Sequence, residues 1–106
     1  MPKYLISASY SAEGLRGLQK DKASGRRQAV TAAIEGLGGK DEGFYNALGA
    51  DDAYVIVDLP DYVTAAAMGI AGSATGLVRT RTTALMTVEE VDRALEKTVN
   101  YRAPGR

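Results

Sequence analysis

Four carboxylates fall within the stretch LGADDAYVIVDLPD, residues 48–61: Asp51, Asp52, Asp58 and Asp61. Adjacent acids such as Asp51 and Asp52 could chelate a hard cation, since Ca²⁺ and Mg²⁺ take several oxygen ligands. In a turn, however, the same pair hydrogen-bonds its own backbone, which explains both positions without a ligand. No metal site and no cofactor are therefore expected. Asp58 is different, because it lies inside an apolar strand. Partial loss of water there would raise its carboxyl pKa and suit it to general-base work. Its structural explanation is an ion pair with Arg79 or Arg81, or exposure near the strand's end. Asp61 directly follows Pro60 and reads as a helix cap.

Arg79 and Arg81 stand two residues apart, so in a strand they share one face and could hold a ligand through their guanidinium groups. By the same alternation Tyr54 shares a face with Asp58. Tyr54, Asp58, Arg79 and Arg81 are thus the candidate ligand-binding residues. Tyr4, Tyr10 and Tyr45 could add aromatic surface, although a strand Tyr commonly packs with its hydroxyl in water. Arg26 and Arg27 read as the solvated side of a helix start. The glycine-rich GIAGSATG, residues 69–76, lacks the Lys of a phosphate-binding loop and falls late in a helix, so tight packing accounts for it.

The residues that are missing narrow the chemistry further. There is neither Cys nor His. Disulfides, thiolate chemistry and zinc or haem sites with sulfur or imidazole ligands are excluded, and so is the usual proton shuttle near neutral pH. Thirteen basic and thirteen acidic residues cancel, with no basic block, so no nucleic-acid partner is expected. The most apolar run, VTAAAMGIAGSATGLV, is shorter than the roughly 18 residues of a membrane span. A soluble cytoplasmic protein with no membrane partner is the expectation.

The elements that must position these groups follow from the pattern. Lys3 to Tyr10 reads as a strand. Ser11 caps a helix whose apolar positions are Leu15, Leu18, Ala29, Val30, Ala33, Ile34 and Leu37, at helical spacing. The polar QKDKASGRRQ between them implies two helices joined near Ala23 to Gly25, with Ser24 as second cap. Gly38-Gly39 stops the helix. Lys40 to Leu48 and Ala53 to Leu59 read as strands of one hairpin around Gly49 to Asp52. A small-residue helix spans Tyr62 to Thr75 and stops at Gly76. A fourth strand covers Leu77 to Thr87. Thr87 and Glu90 then form a capping box for a last helix, Val88 to Thr98.

The order is that of an α+β, ferredoxin-like βαββαβ domain with a four-stranded antiparallel sheet and a C-terminal helix. Right-handed crossovers put both crossover helices on one sheet face. Ala53, Val55, Val57 and Leu59 belong to that face. Tyr54, Ile56, Asp58, Arg79, Arg81 and Thr83 belong to the other, which is mixed and aromatic. Such a face fits a homodimer, or a higher homo-oligomer, in which two sheets meet around a partly polar space.

Taken in order, MPKYL, SGRRQAV, LGGK, LGADDAYVIVDLPD, GSATGLVRTRTT and LMTVEEVD resemble the GYD-domain family over residues 1 to about 97, leaving 98–106 as a loosely held tail. The resemblance implies a dimeric α+β-barrel protein of largely unassigned function, and gives no reaction. The family's Gly, variable, Tyr, Asp segment corresponds to Gly49 to Asp52, with Asp51 in place of the Tyr. A role of that Tyr is lost here or falls to Tyr54 or Tyr45. Two kinds of function follow. One is binding of a small organic ligand between the sheets. The other is a cofactor-independent isomerase or oxygenase with Asp58 as base and a Tyr as proton donor. A purely structural oligomer-building module is the third reading.

Overall fold

A computed structural model describes all 106 residues. The elements run β1 (Lys3–Tyr10), α1 (Ala12–Gly36), β2 (Lys40–Asn46), β3 (Ala53–Asp58), α2 (Tyr62–Ala74), β4 (Val78–Leu85) and α3 (Val88–Leu95). The strands form one antiparallel sheet in the order β2-β3-β1-β4. This is the ferredoxin-like arrangement expected from the element order.

Registration divides the side chains between two faces. Tyr4 pairs with Val57, Ile6 with Val55 and Ala8 with Ala53. These residues turn toward the helices, and Tyr4, Ile6, Val55 and Val57 join Ile34 of α1, Leu59 and Ala65 of α2 in the core. Both crossover helices thus cover one face. Lys3, Leu5, Ser7 and Ser9 alternate to the opposite face, with Tyr54, Ile56 and Asp58 of β3 and Arg79, Arg81 and Thr83 of β4. No element of the chain covers that second face.

β2 adds one irregularity. Asp41 pairs with Val57 and Gly43 with Ile56, so Glu42 is an extra, bulged residue. The Asp41 carboxylate accepts from the Gly43 amide at 2.9 Å and from the Thr31 hydroxyl of α1 at 2.9 Å. The bulge restores alternation, so Phe44 packs against the core while Tyr45 lies opposite Tyr54 on the open face.

The caps behave as their chemistry dictates. Ser11 Oγ accepts from the Gly14 amide at 3.1 Å, Asp61 Oδ1 from Thr64 at 2.8 Å, and Thr87 with Glu90 forms a complete capping box. Gly38 and Gly76 adopt positive φ just past α1 and α2. Two expectations for α1 are corrected. The expected division into two helices is present, but the break falls at Lys22 (φ 66, ψ 164), one residue before Ala23, so Ser24 does not stand at the junction. Leu15 and Leu37 are exposed, whereas Gly14 and Ile34 are the buried residues. Gly14 occupies the core side because α1 meets the start of β4 there: the Ser11 amide donates to the Leu77 carbonyl at 3.0 Å, leaving no room for a side chain.

The strand and helix ends are shorter than the sequence pattern implies. β2 stops at Asn46, β4 spans only Val78–Leu85, and α3 ends at Leu95. The chain is also extended, with a radius of gyration of 16.8 Å where about 13 Å is usual for this length. No helix is long and apolar enough to cross a membrane.

Candidate functional site on the open sheet face

Two polar clusters lie at opposite ends of the uncovered face. The first is built around Asp51, in the loop that joins β2 to β3. Asp52 anchors this loop to β1. Its amide donates to the Ala8 carbonyl at 2.8 Å, and its Oδ2 accepts the Tyr10 amide at 2.8 Å. Asp51 is thereby pressed against the sheet and is only 6% exposed. Its Oδ1 lies 3.1 Å from Ser9 Oγ, and its Oδ2 accepts from the Tyr54 hydroxyl at 3.1 Å and from Arg81 Nη2. Three strands therefore contribute to one carboxylate.

Burial by itself would raise the Asp51 carboxyl pKa. The hydrogen bonds from Ser9 and Tyr54 and the Arg81 charge outweigh it and hold the group below the ordinary carboxylate value. The same bond to Asp51, reinforced by its charge, raises the Tyr54 phenol. Asp51 is thus an ionised acceptor and Tyr54 a protonated donor at neutral pH. Neither is poised to exchange a proton.

The second cluster centres on Lys3. Its Nζ reaches Asp58 Oδ1 at 2.8 Å and also pairs with the carboxylate of the bulged Glu42. Asp58 is pulled below the ordinary value, chiefly by the hydrogen bond from Lys3 against the effect of burial. This reverses the upward shift expected from strand burial. The partner is Lys3 and not Arg79 or Arg81, because Lys3 sits directly opposite Asp58 in the β1–β3 register. An ionised, ion-paired Asp58 is a poor general base at neutral pH.

Of the four residues singled out from sequence, Tyr54 and Arg81 meet through Asp51. Arg79 lies beside them, two residues along β4 and opposite Ser9, and forms no ion pair. Asp58 does not join them, being four residues along β3 from Tyr54, about 13 Å at strand rise. Sequence reasoning left out Ser9, Lys3 and Glu42, and it assigned Asp51 to a turn bonding its own backbone, whereas its carboxylate takes the Ser9, Tyr54 and Arg81 side chains instead. For β1 the signal was present: Lys3, Ser7 and Ser9 put polar groups at alternate positions. For Asp51 nothing local separates a turn-forming acid from one that folds onto a sheet. No three acidic side chains converge as a metal site would require.

The fold and this face define a class: small split β-α-β proteins with helices on one side of the sheet and a bare, partly polar surface on the other. The chain belongs to the GYD domain family, whose sequence model matches residues 4–95. No curated protein matches it.

Proposed function

We propose that two copies of the chain pair their open sheet faces and hold a small organic ligand with an acidic group between them. The observation that carries this reading is the arginine arrangement at the Asp51 end. Asp51 fixes Arg81 from below while leaving its side chain 70% exposed, and Arg79 has no carboxylate partner at all. Two guanidinium groups on one face, one of them oriented by a buried carboxylate, suit recognition of a carboxylate or phosphate. Tyr54 and the largely exposed Tyr45, cross-strand neighbours on the same face, supply apolar surface for the ligand's body. Half-buried Leu5 and Ile56 fill the sheet centre between the two clusters.

The test joins two measurements. Native mass spectrometry of the purified protein should show a dimer with a retained anionic small molecule, and R79A/R81A should release the molecule while the dimer persists. A monomer at micromolar concentration in sedimentation, or a dimer that never carries a ligand, would overturn the reading.

A further inference from the structure

The open sheet face is not the only uncovered surface. α3 buries none of its residues, yet Val88, Val91 and Leu95 fall on one stripe of it at helical spacing. Glu89, Glu90, Asp92 and Arg93 occupy the rest. Eight residues are too few for a helix to persist in water on its own, and the capping box secures only its first turn. Such a helix needs a surface to lie on.

A matching surface exists on the helix side of the sheet. α2 contains no charged residue from Tyr62 to Ala74, and its outer side exposes Val63, Ala66, Ala67, Ile70 and Ala71. A helix without charge around its whole circumference is one that is covered on both sides. Between α2 and the outer strand β4 runs a groove of about 280 Å³, lined by Ala66, Gly69, Ile70, Thr80 and Thr82. Val63, Ala66 and Ile70 repeat the three- and four-residue spacing of Val88, Val91 and Leu95 over the same length, about 10 Å. Ala66 and Gly69 leave a shallow place between Val63 and Ile70, and ridge-and-groove packing would seat a bulky residue such as Val91 there. Within one chain the two surfaces do not meet, since Ile70 and Leu95 stay 69% and 77% exposed.

The surface total agrees. The chain exposes 7582 Å², against about 5,700 Å² for a compact monomer of 11.2 kDa. The excess, roughly 1,900 Å², is of the size a protomer contributes to an obligate interface, and α3 shares it with the open sheet face and the exposed residues 96–106. We propose that α3 is an arm exchanged between copies, its Val88–Val91–Leu95 stripe lying in the α2–β4 groove of a second copy of this chain. The exchange is independent of what the open sheet face binds.

The cysteine-free sequence gives a clean test. V91C and A66C sit mid-stripe and mid-groove, so their approach does not depend on the direction in which the helices run. Co-expressed on two distinguishable chains and oxidised, they should give a covalent dimer with one copy of each, several-fold above either variant alone. In the unsubstituted protein, amide exchange over Val88–Leu95 should slow as chain concentration rises. An intramolecular disulfide in the V91C/A66C double variant, without a mixed dimer, would place the arm on its own chain and overturn the proposal. So would absence of any cross-link, or exchange that does not respond to concentration.

Discussion

Arg81 reaches across β1 to the carboxylate of Asp51, thirty residues earlier in the chain. The strand between them brings Ser9 to the same carboxylate. This contact ties the β2–β3 loop to the far strand of the sheet, and its dependence on charge makes it sensitive to acid.

A carboxyl group whose pKa is depressed on folding adds stability above its unfolded-state value, about 3.9 for Asp, and loses it as pH falls through the folded-state value. Asp51 and Asp58 are both depressed. Thermal midpoints should therefore hold above about pH 5 and fall below about pH 4. D51N should lower the midpoint at pH 7 and flatten the acid limb. Parallel curves for the two proteins would show that Asp51 carries no such linkage.

Lys3 is the main cause of the low Asp58 pKa. In K3M the Asp58 carboxyl should rise, because burial would act without its opposing cation. Carbon-detected titration of the Asp58 side chain measures this directly. A carboxyl that titrates as in the parent protein would assign the shift to another group.

Lys22 holds a backbone conformation (φ 66, ψ 164) that is close to glycine's alone. K22G should relieve that strain and outweigh the extra freedom glycine gives the unfolded chain, stabilising by about 1 kcal/mol. A rise of several degrees in the midpoint is expected for a domain this small. A lower midpoint would mean that ordinary helix propensity dominates at this position.

The first turns of α1 offer a paired comparison. A Cβ on Gly14 would stand 2.0 Å from the Leu77 carbonyl oxygen, whereas one on Gly17 would meet nothing within 4 Å. G14A should cost about 2 kcal/mol or more through forced separation of α1 from β4. G17A should gain up to about 1 kcal/mol from helix propensity. Denaturant unfolding of both variants reads the difference, and equal effects would show that α1 does not seat tightly on Leu77.

Strand alternation and capping residues carried most of the fold. Val55 and Val57 on one side and Tyr54 and Asp58 on the other were legible because a strand has period two. Ser11, Asp61 and Thr87 were legible because an N-cap is a local arrangement. The position of the break in α1 was not, since nothing in a lysine side chain signals positive φ and Gly25 offered an easier site. The bulge at Glu42 was hidden for a related reason, because it depends on register with β3. Within the site, face assignment brought Tyr54, Arg79 and Arg81 together correctly as same-side residues. It could not separate Asp58 from them, because distance along a strand and the identity of a cross-strand partner are properties of registration. Asp51 lay beyond sequence logic altogether: its role arises from how a loop folds back over strands that are remote in the chain.

The bulge at Glu42 also bears on which strands the sheet can pair with at its rims. A sheet edge with regular, unpaired backbone is a template for another strand, and uncontrolled edge pairing leads to fibrils. β2 spoils its edge with an extra residue beside the charged Lys40 and Asp41. At the other edge, Ser73 Oγ accepts the Thr80 amide, and Arg79 and Arg81 set like charges against any second β4. Both rims of the sheet are therefore poor seeds for end-to-end polymerisation.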